Sequence, residues 1–330
     1  MTNLVYFGSP AFSAQILDSL IKNSPPSEGG DKEGVLFRLA GVARPPAYAV
    51  CGVVTSPNKP LGRKQILTPS PVAQLATEYN LPVFKPEKLD EANLVHLKLL
   101  KPDIFLVVSY GKIIPKPWLT TPTIGTFNLH FSLLPKYRGA LCISEAIKNQ
   151  DSQTGVTLMA MDEGMDSGPI ISQAKVSIDI NDNCETLTNK LTQVGIKLLA
   201  TQLPFITTNN HKLLSLPQDE ALATYTPTTK TRNRQSAFIP WDIIQCAMSN
   251  EQCAMTTHAF IRSQNPDPGA WTQIPVFSSQ YSVASEIEAK IIKTRLDTKY
   301  LILDTIQLPG KTPISWQQFH SRANLSKGQI

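Results

Sequence analysis

A chain of 330 residues is long enough for two domains of ordinary size, each able to bury a core without metal or disulfide staples. Its 42% hydrophobic and 17% charged residues are those of a globular protein, and its net charge of +5 permits a polyanionic partner without demanding one. The five cysteines are scattered and form no C-x-x-C pair, which argues against a disulfide framework and a structural zinc site, so no metal is expected. No stretch approaches the ~20 apolar residues of a membrane span. The start carries no basic n-region before its short apolar run, and a cytoplasmic location is expected.

The first buried strand is expected at residues 4–7, ending at Gly8-Ser9-Pro10. A helix follows, with Phe12, Ile16, Leu17 and Leu20 on one face. The next strand is 50–55. Between them, residues 24–48 are rich in Pro and Gly and too long for an ordinary connection, and they read as an insertion. Residues 57–71 read as a loop carrying Lys59, Arg63 and Lys64. Helices are expected at 72–79 and 90–100, strands at 104–108 and 125–130, and a helix at 140–149. Strands at 156–161 and 170–178 precede a helix that opens on the capping box Asp182…Glu185 and runs to about Leu203.

Strands alternating with helices give an open, mostly parallel, Rossmann-like α/β sheet. Ligands on such sheets bind beyond the carboxyl ends of the strands, where Tyr110 and His130 stand. After about Leu203 the character changes. Helices at 241–248 and 255–263 and short β runs at 276–277, 290–294 and 300–306 suggest a smaller, β-rich domain. The expected division is a first domain at 1–205, a linker at 206–225, and a C-terminal domain at 226–330.

Chemistry concentrates in two segments. In Asn128-Leu129-His130, an amide and an imidazole two residues apart on a strand point to the same face, where the strand leaves the sheet. Together they offer donors to one oxygen, the arrangement that stabilises a tetrahedral oxyanion. Taken alone, such a pair is more often a hydrogen-bonded turn. In Gly164-Met165-Asp166-Ser167-Gly168-Pro169 an Asp sits between glycines. That is a common turn pattern, but a carboxylate brought beside His130 would fix its tautomer and favour its charged form. Spacing alone does not bring them together. Ser132 lacks a G-x-S-x-G elbow, and Gly8 lacks the G-x-G-x-x-G of a dinucleotide site.

The two segments together, from Asn128 through Ser132-Leu133-Leu134-Pro135 and then Gly164 to Pro169, resemble the formyltransferase family that uses 10-formyltetrahydrofolate. Phe7-Gly8-Ser9-Pro10, Lys59-Pro60-Leu61-Gly62-Arg63, Val108-Ser109-Tyr110-Gly111, Tyr137-Arg138-Gly139-Ala140 and Gln218-Asp219 through Ala223-Thr224-Tyr225 extend the likeness. They favour the branch whose acceptor is the methionine of charged initiator tRNA. The resemblance implies catalytic roles for Asn128, His130 and Asp166. It implies a folate pocket at Val107, Val108, Ser109, Tyr110, Gly111 and Ile113, with Ser132 to Pro135 as its floor and Asp162 and Gly164 beside it. It implies tRNA contacts from Lys59, Arg63, Lys64 and Arg138; Lys230 and Arg232 add basic residues at the start of the second domain. A monomer is expected. The resemblance also implies a catalytic domain at 1–205 and an OB-like barrel at 226–330, which looks shortened; Leu141-Cys142 stands where the family usually has Ala-Pro, and 24–48 has no recognised counterpart. Two other readings stay open: a formyltransferase for a small amine (glycinamide ribonucleotide or an amino-sugar nucleotide), and a non-catalytic folate- or RNA-binding module.

Overall fold

The computed structural model describes residues 1–23, 48–62, 64–208, 215–278 and 281–322. Arg63 and all of the expected insertion except Tyr48 lie outside the described residues. The chain divides into two compact units. The first comprises Met1–Ala140, Thr154–Val176 and Asn189–Tyr225; the second comprises Leu141–Gln153, Ser177–Thr188 and Thr226–Ile330. Segments 141–153 and 177–188, expected in the first domain, thus group with the second. The expected linker belongs to the first unit, where Leu216 exchanges two backbone hydrogen bonds with Ile170, both 2.8 Å.

In chain order the first unit begins with β1 (Thr2–Gly8), α1 (Ala11–Lys22) and β2 (Tyr48–Val54). Next come the hairpin β3 (Lys59–Leu61) and β4 (Ile66–Thr68), then α2 (Pro71–Glu78), β5 (Val83–Phe84), α3 (Glu91–Lys98) and β6 (Ile104–Val108). They are followed by α4 (Lys116–Leu119), β7 (Gly125–His130), α5 (Cys142–Lys148), β8 (Gln153–Ala160), β9 (Ile170–Ser177) and α6 (Cys184–Thr207). Of these, α5 and the first turn of α6 belong to the second unit.

The sheet order is β5-β2-β1-β6-β7-β8-β9. Strands β5 through β7 in that order pair in parallel, and β8 turns antiparallel against β7. Strands buried on both faces must be apolar throughout, and β1 and β6 are: Leu4 to Phe7 and Ile104 to Val108 are all buried. Phe7, Phe105, Tyr110 and Trp118 anchor the core on one side, with Leu94 and Leu97 of α3. Ser70 caps α2 by accepting from the Ala73 N–H, and Asp90 caps α3 through Asn93. The chain leaves β1 toward β2 on one side and leaves its neighbour β6 toward β7 on the other, which makes the β1/β6 boundary the topological switch point. The carboxyl ends of β6 and β7 flank it.

Within the second unit are α7 (Trp241–Ala247), α8 (Glu251–Gln264), β10 (Trp271–Ser278), β11 (Tyr281–Asp297), β12 (Tyr300–Gln307), β13 (Ile314–Ser315) and α9 (Trp316–Arg322). The four strands form an antiparallel meander in sequence order, and among the described residues β13 does not pair back onto β10. The β-rich character expected of this region is present as that sheet. Its core combines Ile244, Ala254 and Ile261 with Ile291, Leu301 and Leu303. The helix after Leu141-Cys142 forms without the usual proline: Leu141 is its N-cap, with no side-chain cap bond.

Candidate active site

β7 delivers two polar side chains to one place. Asn128 sits beside Val107 of β6 on one edge and Met159 of β8 on the other. His130 is its last residue, opposite Thr157. Both are almost buried, at 9% and 7% exposure. The loop between β8 and β9 brings Asp166 to them. One carboxylate oxygen accepts from Asn128 Nδ2 at 3.1 Å and the other from the Gly139 N–H at 2.8 Å. The second oxygen also lies 3.6 Å from His130 Nδ1. The three groups expected to converge are therefore in one cluster, with Asp166 17% exposed at its mouth.

The hydrogen bonds settle how the histidine is held. Its Nε2 lies 2.9 Å from the Tyr137 carbonyl oxygen, which can only accept, so Nε2 carries a hydrogen. Nδ1 then faces the carboxylate. At 3.6 Å that pair is longer than a hydrogen bond, so the ring is fixed by its Nε2 contact and Nδ1 is turned toward the carboxylate.

Backbone geometry around the cluster is unusual. Tyr137 has φ 62°, Asp166 has φ 51° and Ser109, just past β6, has φ 54°. Asp tolerates the left-handed region better than most residues, but such a turn persists only where its surroundings hold it. Two contacts do so. Gly168 packs so tightly on β8 that a Cβ there would overlap the Ala160 carbonyl. The Gln218 amide donates to the carbonyls of Asp166 and Gly168 at 2.8 and 2.7 Å. Gly168→Ala is expected to displace the Asp166 turn, costing about 1–3 kcal/mol as overpacking and most of the activity. A lowered unfolding midpoint in denaturant together with weak turnover checks this; a wild-type midpoint would contradict it.

The expected pocket residues fall into two sets. Ser109 and Gly111 (φ 82°) are exposed, nothing lies within 4 Å of a Cβ built on Gly111, and Ile113 is 87% exposed. They leave open backbone and apolar surface beside the cluster's strand ends. Tyr110 is buried edge-on against Phe7, and its hydroxyl has no hydrogen-bond partner among the described residues. Val107 and Val108 are core residues that offer only backbone. Ser132 and Leu134, expected to touch the ligand, are buried with their polar groups engaged inside the protein. Ser132 Oγ donates to the Lys136 carbonyl at 2.6 Å, and the Leu134 N–H donates to Thr157 Oγ1. Those two are structural support. Leu133 and Pro135 are half-buried. Asp162 closes its own turn, accepting from Gly164 N–H and Ser167 Oγ.

The basic residues also separate. Lys59 and Lys64 are exposed on the β3–β4 hairpin with Leu61, Ile66 and Leu67. Lys230 is exposed in the second unit. Arg232 is half-buried and donates to the Asp267 carbonyl at 2.6 Å. Arg138, expected to grip tRNA, is 0% exposed. Its five N–H groups go to Gln218, Glu220 and Tyr225, so none remains for a phosphate. Burial reassigns it from ligand contact to internal support. Sequence reasoning missed Gln218 as part of the site; its only signal was a place in a motif that ran toward the second unit.

Comparison with known proteins defines the class. The formyl transferase family profile matches residues 43–203, which include all three clustered residues. A methionyl-tRNA formyltransferase from Dictyoglomus thermophilum is 32% identical over 99% of this chain and 98% of its own length, and one from Bacillus velezensis is 33% identical over 100% and 98%. The chain belongs to the methionyl-tRNA formyltransferase family. These alignments run through the C-terminal region that had looked shortened. Among solved structures, an N-formyltransferase from Helicobacter canadensis, in complex with folinic acid and dTDP-3-aminofucose, is 21% identical. It covers 96% of this chain and 99% of that one at a TM-score of 0.53. The sugar 3N-formyl transferase WlaRD is 19% identical over 94% and 99% at 0.55. At these identities the likeness is one of fold.

Proposed function

We propose that this enzyme transfers the formyl group of 10-formyltetrahydrofolate to the free amine of methionine on initiator tRNA, and that Asn128, His130 and Asp166 perform the transfer. The convergence of amide, imidazole and carboxylate at the end of β7 carries this reading. The curated relatives named above support the acceptor.

The folate supplies an N-formyl carbonyl. Exposed Ser109, Gly111 and Ile113 with half-exposed Met165 suit a flat, partly apolar ring system. As the acceptor amine attacks, negative charge grows on the formyl oxygen. Asn128 uses one N–H on Asp166 and has a second to give that oxygen. His130, held by Tyr137, adds positive charge beside it. Asp166, partly open to solvent, takes the proton from the attacking amine directly or through one water. Collapse of the tetrahedral centre breaks its bond to folate N10, which leaves as tetrahydrofolate and takes up the proton that the amine gave up, so no covalent enzyme intermediate is needed.

Lys59 and Lys64 supply exposed charge for the tRNA backbone. Arg63 lies outside the described residues, and its tRNA role stays an inference from its motif. Lys59→Ala/Lys64→Ala is expected to raise KM for tRNA several-fold at moderate salt and to flatten the salt dependence by about two phosphate contacts, with KM for the folate unchanged. Equal salt slopes in variant and wild type would remove these lysines from the interface. This reading makes the protein a cytoplasmic monomer; among the described residues no helix is long and apolar enough to cross a membrane.

Acceptor competition tests the function. Purified protein and 10-formyltetrahydrofolate are offered methionyl initiator tRNA, free methionine, glycinamide ribonucleotide and an amino-sugar nucleotide. Preferential formylation of the tRNA is expected. Faster turnover of a small amine would establish the alternative acceptor, and no turnover of any would reduce the chain to a binding module.

A further inference from the structure

The segment 215–225 reads in sequence as a linker, yet it is bound into the catalytic unit at every few residues. Leu216 pairs with Ile170, Gln218 with the Asp166 turn, and Glu220 and Tyr225 with Arg138. Thr224 accepts from the Tyr137 N–H through its hydroxyl and from the Arg138 N–H through its carbonyl. Tyr137 is the residue whose carbonyl holds His130. One strap therefore supports both the carboxylate and the imidazole from behind.

Gln218 is the centre of this arrangement. Its Oε1 accepts from Arg138 Nε and NH2 at 3.1 and 2.9 Å, and its Nε2 donates to the carbonyls of Asp166 and Gly168. The amide orientation is forced, because a guanidinium can only donate and the two carbonyls can only accept. Arg138 is fixed in turn by a bidentate pair with Glu220 and by the Tyr225 hydroxyl. A buried guanidinium with all five hydrogens used is a rigid base for an amide. The amide's two hydrogens meet the turn whose residue at φ 51° carries the carboxylate.

We propose that Gln218, locked by Arg138, is a positioning residue for formyl transfer: it holds the strained Asp166 turn so that the carboxylate reaches both Asn128 and His130. The inference rests on Asp166 acting in the reaction. Both ends of the Gln218 amide are committed to Arg138 and to the Asp166 turn, so its effect is expected to run through Asp166.

Gln218→Glu keeps an acceptor for Arg138 and replaces the two donors with an oxygen that repels the Asp166 and Gly168 carbonyls. Single-turnover formylation of methionyl initiator tRNA at saturating folate is expected to slow about 100-fold, the scale of an ~1 Å misplacement of a catalytic group. KM for 10-formyltetrahydrofolate is expected to stay within a factor of two or so of wild type. A double-mutant cycle separates positioning from general damage. In an Asp166→Ala background, Gln218→Glu is expected to add no further loss. If the losses multiply, or if Gln218→Glu alone reacts at the wild-type rate while Asp166→Ala is impaired, the positioning role is overturned. If Asp166→Ala is itself fully active, the catalytic reading of Asp166 fails first, and the positioning role with it. Should circular dichroism show Gln218→Glu misfolded, Gln218→Met, which removes the donors without adding charge, is judged by the same criteria.

Discussion

Asn128→Ala is expected to lower kcat by about 100- to 1,000-fold, the usual cost of removing one preorganised donor from a developing oxyanion. Its effect on KM for either substrate should be small, because the bond strengthens only as charge builds on the formyl oxygen. Two losses combine in this substitution: the donor to the substrate, and one of the two hydrogen bonds that hold Asp166. Asn128→Asp is expected to be at least as damaging, since it sets a second carboxylate about 3 Å from Asp166 and either repels it or captures a proton. His130→Ala is expected to fall in the same range, as it removes the imidazole that faces the carboxylate across 3.6 Å. Since the three groups act as a unit, combined variants should lose little more than the worst single one. Steady-state kinetics with both substrates varied reads these effects. A large rise in KM at unchanged kcat would assign Asn128 to ground-state binding instead.

The second large effect lies in the C-terminal unit and concerns stability. His258 on α8 is 1% exposed. Its Nε2 donates to the Ile180 carbonyl at 3.0 Å, which leaves Nδ1 to accept from the Thr294 hydroxyl at 2.8 Å. The neutral ring is therefore fully satisfied. Burial, reinforced by the nearby Arg262 cation, pushes its pKa down from 6.5 to about 4, and the Ile180 carbonyl and Asp304 oppose this only in part. The unfolded chain thus binds a proton at higher pH than the folded one. Stability from this residue is complete above pH 6.5 and is lost as the pH falls toward about 4. A shift of this size corresponds to about 3 kcal/mol. Denaturant unfolding at a series of pH values is expected to show that loss in the wild type and its absence in His258→Gln, which cannot titrate. Parallel pH profiles for the two proteins would show that His258 is not the acid-sensitive group.

How far these features could be read in advance depended on whether their cause was local. β6 was legible to the residue because a strand buried on both faces is a continuous apolar run, whereas β7 alternates Thr126, Asn128 and His130 with Phe127 and Leu129. The β3–β4 hairpin was read as loop because Leu61, Ile66 and Leu67 are exposed on a two-stranded ribbon broken up by prolines, where no alternation survives. Spacing on one strand put Asn128 and His130 on a common face, but their role came through the resemblance. Asp166 too could be tied to them only that way, since its approach depends on the β8–β9 return and on a clamp from residue 218. The resemblance also placed Arg138 among the tRNA contacts, and nothing local reveals that Glu220, Gln218 and Tyr225 fold back to enclose it. The strap was hidden because it is polar, aperiodic and held by side-chain bonds rather than by a buried face.

The most direct test is single-turnover transfer of labelled formyl from 10-formyltetrahydrofolate to methionyl initiator tRNA, with wild type and Asp166→Ala run side by side. Labelled formylmethionyl-tRNA from the wild type, with the rate reduced by orders of magnitude in the variant while folate still binds, is the predicted outcome. An Asp166→Ala enzyme that forms product at the wild-type rate would mean that the carboxylate beside Asn128 and His130 takes no part in the chemistry.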